Sequence, residues 1–143
     1  MAAAAAVLVG CGEGSVRVAA PTPDAATARL CRGLRLPATV HGQHARDVSP
    51  DSPLTAAWGS PAIALRCGVP LPAGLRPTSQ LQTVNGVDWF GVPEDRPVTW
   101  TAVGRQAYVE VTIPPKYAPP GDVLIELGDE ITKTIPAKPE GQI

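Results

Sequence analysis

Sulfur chemistry is the first chemistry that the residue types of this 143-residue chain allow, because the chain has three cysteines. Cys11 ends an apolar N-terminal run, whereas Cys31 and Cys67 lie farther along, without CxxC spacing and with no histidine beside either. Once Cys11 is set aside, such an even pair predicts a disulfide. Two buried free thiols or a catalytic Cys67 are the alternatives. A nucleophilic cysteine needs a nearby base, and His41 and His44 lie in a polar stretch with no sign of being brought to it.

A lipid anchor is the chemistry indicated at Cys11. The residues Leu8-Val9-Gly10-Cys11 close a run of alanine and valine and resemble the bacterial lipoprotein signal, in which the cysteine is lipidated and becomes the new N-terminus. We therefore expect a signal segment over residues 1–11 and a mature chain on the extracytoplasmic face of the cell membrane, where disulfides persist.

The expected positive charge of a secretory signal is missing, because no Lys or Arg precedes Cys11 and the first basic residue is Arg17. A start codon upstream of Met1 would explain this. The alternative is an alanine-rich terminus on a cytosolic protein, with Cys11 a free thiol.

Metal and acid–base chemistry find little support. His41, His44 and Asp47 have ligand-like spacing, but an extended segment would direct the two histidines to opposite faces, and no third strong ligand is apparent. Glu126 and Glu130 are neighbours on one face of a predicted helix, where solvation is their expected role. The chain has no Ser–His–Asp order, glycine-rich phosphate loop or zinc-protease motif. We predict no catalytic residue, metal or cofactor.

One set of residues is a candidate binding surface: Trp58, Arg66, Asp88 and Trp89, with Trp100 as a further aromatic. Tryptophans can floor a pocket for a sugar or peptide, since they offer rigid apolar area with a polar handle. The chain has only three Trp, two Tyr and one Phe, which makes a core role for the tryptophans the stronger interpretation. Arg66 lies in an apolar strand, where its guanidinium needs a carboxylate such as Asp88.

Composition limits the class of protein. The formal net charge is −1 and 44% of the residues are hydrophobic, which argues against disorder and against nucleic-acid binding. No second apolar run approaches the roughly 18 residues that span a bilayer, so membrane attachment is expected only through lipid on Cys11. The length suits one domain.

Two helices are predicted. The first follows the capping sequence Thr22-Pro23-Asp24 and stops before Leu36-Pro37, and the second is capped by Asp122 and ends before Pro136. The apolar residues that recur at helical spacing are Ala26, Leu30, Cys31 and Leu34 in the first helix and Val123, Leu124, Leu127 and Ile131 in the second.

Strands are predicted between these helices. Residues 62–67 form an apolar run typical of a central, buried strand, and Asn85-Gly86 is the dipeptide most favoured in tight hairpin turns. Residues 98–103 and 107–113 alternate as strands do, whereas 47–60 is predicted to be a turn-rich loop.

The predicted fold class is α+β, a single domain with an antiparallel sheet of about four to six strands and both helices packed on one face. We place a tether at residues 12–20, the domain at 21–136 and a polar tail at 137–143.

Several segments together resemble an actinobacterial family catalogued as domain of unknown function 3515. The residues that carry the resemblance are Cys31-Arg32-Gly33-Leu34, Ala56-Ala57-Trp58-Gly59-Ser60-Pro61-Ala62-Ile63, Leu65-Arg66-Cys67-Gly68-Val69-Pro70, Val84-Asn85-Gly86-Val87-Asp88-Trp89 and Ala107-Tyr108-Val109-Glu110-Val111. The resemblance covers nearly the whole mature chain and implies a small exported protein, often with a lipoprotein-type signal. It implies no activity.

Two functions remain open on this basis. One is a non-catalytic envelope lipoprotein that binds a protein or a cell-wall component, and the other is a small extracytoplasmic enzyme acting on envelope material. A deep polar pocket around Asp88, Arg66 and His44 would favour the enzyme, and a shallow surface with those groups paired off would favour the binding protein.

Overall fold

The computed structural model describes residues 14–143 and has the α+β class that the sequence predicts. Within these residues there are two α-helices, α1 (Ala25–Arg32) and α2 (Gly121–Thr134), and a 3-10 turn, η1 (Pro115–Tyr117). The strands in chain order are β1 (Val16–Arg17), β2 (Thr39–Val40), β3 (Gln43–Arg46), β4 (Val48–Ser49), β5 (Thr55–Trp58), β6 (Ile63–Val69), β7 (Gln82–Val84), β8 (Val87–Val92), β9 (Thr99–Val103) and β10 (Tyr108–Thr112).

Eight of these strands form one antiparallel sheet in the order β2-β3-β5-β6-β10-β9-β8-β7, and β1 and β4 form a separate parallel pair. The predicted size of four to six strands was therefore wrong. The difference comes from residues 39–58, where the short strands β2, β3 and β5 join the sheet; of these only β5 lies within the predicted loop at 47–60. They are too short and too polar for period-two alternation to show, and β5 forms by pairing along buried β6.

Two tight turns organise the hairpins. Asn85 and Gly86 have φ values of 48° and 78°, which confirms the predicted hairpin between β7 and β8. His41 and Gly42 make the same kind of turn, with φ values of 50° and 71°, between β2 and β3. Sequence reasoning missed the second turn, because His-Gly is a weaker turn signal than Asn-Gly.

Both helices cover the same face of the sheet, as predicted. Register aligns Cys67, Val109, Ala102 and Trp89 across β6, β10, β9 and β8, so their side chains project from one face. Cys31 of α1 bonds to Cys67 on this face, and α2 approaches Val87 and Trp89 at Gly128. Val123, Leu124, Leu127 and Ile131 of α2 are all buried in the resulting core, as their spacing predicts.

The helix ends differ slightly from the predictions. Asp24, and not Thr22, caps α1, because its carboxylate accepts a hydrogen bond from the backbone N–H of Thr27 at 2.8 Å. Ala26 is exposed, and Ala28 takes its place beside Cys31 on the buried face. Asp122 lies in the first turn of α2, whose N-cap is Pro120 without a side-chain cap.

Cys31 and Cys67 form the predicted disulfide. Their Cα atoms are 5.6 Å apart, within the usual range, and the bond joins residues 36 positions apart. Both cysteines are at most 2% exposed. The bond therefore links α1 to β6, the fourth strand of eight, from inside the core.

The terminal segments contact the sheet. Val16 and Arg17, within the expected tether, pair with Val48 and Ser49. In the expected tail, the Lys138 backbone N–H donates to the Gly104 carbonyl at 2.8 Å, and Ala137 bridges to Arg105. The predicted signal segment and Cys11 lie outside the described residues. None of the helices within 14–143 is both long and apolar enough to cross a membrane.

Removing the disulfide tests its contribution to stability. We expect Cys31→Ser/Cys67→Ser to lower the midpoint of thermal unfolding by about ten degrees or more. Closing such a loop contributes about 3 to 4 kcal/mol in the chain-entropy model, and a domain of this size shifts by about 3 to 5 °C per kcal/mol. Calorimetry of the double variant and of Cys11→Ser, the matched control, measures the effect. Equal loss in both proteins would contradict it.

The Asp24 cap predicts a pH dependence of stability. The backbone N–H of Thr27 holds the pKa of the Asp24 carboxyl below its usual value of 3.8, so the charged form stabilises the folded state. This contribution is present above pH 3.8 and is lost as the pH falls through the lowered pKa. Asp24→Asn keeps a capping side chain without titrating. The stability difference between wild type and this variant should shrink as acid is added, and a pH-independent difference would refute the assignment.

Candidate binding site

The predicted binding surface is divided between the two faces of the sheet. Trp58 and Trp89 are 1% and 0% exposed and lie on the face that the helices cover. The indole N–H of Trp58 donates to the Pro37 carbonyl at 3.0 Å. Arg66 and Asp88 project from the opposite face, since each alternates with buried core residues along its strand. The four side chains therefore do not form one surface.

Arg66 finds a carboxylate, but a different one from that expected. Its Nη1 atom lies 3.2 Å from the Glu110 carboxylate, and its Nε atom donates to the Ala19 carbonyl at 2.7 Å. Glu110 is the direct cross-strand partner of Arg66, whereas Asp88 lies three strands away in the sheet and accepts a hydrogen bond from Thr83 at 2.6 Å. The predicted Arg66–Asp88 pair was wrong, because strand register decides which charges meet.

The two histidines have different surroundings. His41 is in the β2–β3 turn, where its backbone N–H donates to the Glu126 carboxylate at 3.1 Å and its ring meets Tyr117 edge-on. Glu126 thus holds this turn against α2, beyond its expected solvating role. His44 is exposed on β3. No group of three or more His, Cys, Asp or Glu side chains suited to a metal occurs within residues 14–143.

A concave site is present at the other end of the sheet. We name it the β8-edge cleft: the space between residues 78–82, which lead into β7, and residues 90–92, the second half of β8. Its volume is about 880 Å³, within the usual range for ligand pockets. The cleft forms because β7 pairs with β8 only from Val87 to Trp89, so the two chains separate beyond that point.

Close backbone packing shapes the floor of the cleft. A Cβ atom on Gly91 would lie 2.8 Å from the Trp100 ring and 2.9 Å from Pro97, so only glycine fits there. The Trp100 ring thereby covers Gly91, its cross-strand neighbour. Phe90 lines the cleft from the next position, and Val92 beside it is 39% exposed.

The rim of the cleft is polar and nearly neutral. Hydroxyl and amide side chains line one side, and Arg76 and Glu94 contribute one charge of each sign. This set provides hydrogen-bond donors and acceptors around an aromatic floor. Among the lining residues that the structure describes there is no nucleophile held by a base and no pair of neighbouring carboxylates.

Sequence reasoning found only one part of this cleft, Trp100. The usable signal was the proline-rich segment before β7, because prolines cannot donate to a ladder and so limit how far pairing can extend. Which backbone edge stays open depends on where pairing between β7 and β8 stops, and that is decided by tertiary contacts.

Comparison with known proteins identifies the family. The family model described as "Protein of unknown function (DUF3515)" matches residues 1–140, so the chain belongs to this family. This confirms the resemblance seen in the sequence. No curated protein and no solved structure matches the chain.

Substitution of Gly91 tests the floor of the cleft. We expect Gly91→Ala to destabilise the fold by about 1 to 3 kcal/mol, because the added methyl group must displace the Trp100 ring or Pro97. Gly74→Ala is the matched control, since a Cβ there meets only Phe90, at an ordinary 3.8 Å. Denaturant unfolding of both variants measures the difference, and equal stability would show that the floor is not closely packed.

Proposed function

We propose that this protein is an extracytoplasmic lipoprotein, anchored to the cell membrane through Cys11, that acts as a non-catalytic binding or assembly factor of the cell envelope. The observation that carries the proposal is the combination of the Leu8-Val9-Gly10-Cys11 motif with a buried disulfide between the two other cysteines. Structural disulfides persist mainly in oxidising compartments, so both features support the same location.

The start of the folded domain supports a close anchor. The Gly14 carbonyl accepts a hydrogen bond from Arg46 at 2.7 Å, and Val16 pairs with β4. Gly14 is three residues after Cys11 in the chain. An extended chain of that length spans about 11 Å, so lipid on Cys11 would hold this end of the sheet near the bilayer surface.

The arrangement of polar side chains supports binding over catalysis. Arg66 is paired with Glu110, Asp88 with Thr83, and His44 stands apart on β3. The groups that could have formed a deep polar pocket are therefore separate, and each of the first two has a structural partner. The β8-edge cleft is a concave site whose lining suits binding. The alternative of a small envelope enzyme gains no such support.

Replacing Cys11 tests the anchor. We expect Cys11→Ser to move the protein from the membrane fraction to the soluble fraction and to remove the mass of the lipid adduct. A single acyl chain binds a membrane only marginally, so the diacylglyceryl group supplies the attachment. Ser15→Ala is the control, because it changes a nearby exposed residue without altering the motif. A Cys11→Ser protein that stays membrane-bound with unchanged mass would overturn the proposal.

A further inference from the structure

The two edges of β8 differ in how far they pair with a neighbouring strand. On its inner edge, residues Asp88 to Val92 all pair with β9. On its outer edge, β7 pairs only from Val87 to Trp89. Within the described chain, the outer edge of β8 from residue 90 to residue 92 therefore has no strand beside it, and this edge faces the β8-edge cleft.

The direction of the backbone groups follows from the hydrogen bonds. The Val98 N–H donates to the Val92 carbonyl at 3.0 Å, so the carbonyl of Val92 points towards β9. Successive residues of a strand direct their N–H and C=O groups to opposite sides. The N–H and C=O of Gly91 therefore point towards the cleft, where the hydrogen bonds of residues 14–143 provide no partner for them. Such a donor and acceptor pair is a template for one more strand.

The charges on the rim of the cleft limit which kind of ligand fits it. Arg76 and Glu94 lie on its rim, neither is in an ion pair within the described residues, and their charges cancel. The other rim side chains, including Thr78, Ser79 and Gln80, are uncharged. A cleft of zero net charge is not complementary to an anionic polymer or an anionic phospholipid headgroup. It is complementary to a segment without net charge whose own backbone is dipolar.

We propose that the β8-edge cleft binds an extended, uncharged peptide segment of an envelope protein by strand addition to β8. Gly91 exchanges two backbone hydrogen bonds with the peptide, and alternate peptide side chains contact Phe90 and Val92, which share one face of β8. The location of the partner rests on the proposed extracytoplasmic function. The cleft is four strands from β5, or about 19 Å across the sheet, and Arg46 joins the carbonyl of Gly14 to that of Gly59, the residue after β5. An anchor at Cys11 would thus leave the cleft away from the bilayer.

The experiment uses a displayed library of random twelve-residue peptides, selected against the purified full-length protein with its disulfide intact. Selected peptides are resynthesised with an N-methyl group at one backbone position at a time. Gly91 offers one free carbonyl, so one peptide N–H bonds to β8, and methylation of that N–H should weaken binding about tenfold while methylation of the positions on either side should not. In parallel, the exchange of the Gly91 amide proton with solvent should slow when peptide is bound.

Two surface variants test whether the peptide binds in the cleft. Val92→Arg places a long, charged side chain in the cleft and should weaken peptide binding about tenfold or more. Ile125→Arg makes the same change at an exposed apolar residue on α2, outside the cleft, and should leave binding within about twofold. Thermal unfolding of both variants establishes that they are folded, and the Gly91 exchange measurement needs no variant.

Several outcomes would overturn the strand-addition proposal. They are a selection that yields no binder, a binder that no single backbone methylation weakens, and a Gly91 amide proton whose exchange with solvent does not slow. If no peptide binds but cell-wall oligosaccharides bind saturably, and Val92→Arg weakens that binding, the cleft would be assigned to a glycan. These measurements use purified protein, so their failure is distinct from a failure of membrane anchoring in the Cys11→Ser experiment.

Discussion

The disulfide between Cys31 and Cys67 is the interaction on which the arrangement of the core depends. It joins the short helix α1 to β6, the strand from which pairing extends to both sides of the sheet. A helix of eight residues is marginal by itself, and only Ala28 and Cys31 of α1 are buried. The covalent bond holds α1 on the sheet, which this small apolar contact would do only weakly by itself. It also holds α1 on the same face as α2, so that one core forms beneath both helices.

The two edges of the sheet differ in what contacts them. The β2 end is short and is held to α2 by the hydrogen bond between the His41 N–H and Glu126. At the other end β7 is also short, and within residues 14–143 no strand pairs with the outer edge of the part of β8 that extends beyond it. Proteins usually shorten or cover such edges because open ones recruit other chains. The unpaired part of β8 lies at a cleft with an aromatic floor. This edge is therefore the part of the sheet at which we propose that another chain binds.

The proposed anchor and the proposed peptide site are compatible in space. The domain begins beside β3 and β5, where Arg46 bridges the carbonyls of Gly14 and Gly59. The cleft lies near the opposite edge of the same sheet. With only two residues between Cys11 and Gly14, the anchored chain would have little freedom to turn its cleft towards the membrane. A rigid sheet would then present one site at a set distance from the lipid surface.

The sequence by itself determined the α+β class, the Asn85-Gly86 hairpin, the buried face of α2 and the disulfide, because each depends on local spacing or on cysteine arithmetic. It also identified the family. Tertiary structure decided the rest. Within 39–58, β5 pairs along β6 and β3 pairs along β5, and Arg66 meets Glu110 instead of Asp88 because register aligns them. The cleft is likewise a tertiary feature, since it exists where β7 stops pairing with β8, and the end of a ladder depends on long-range contacts that residue types do not encode.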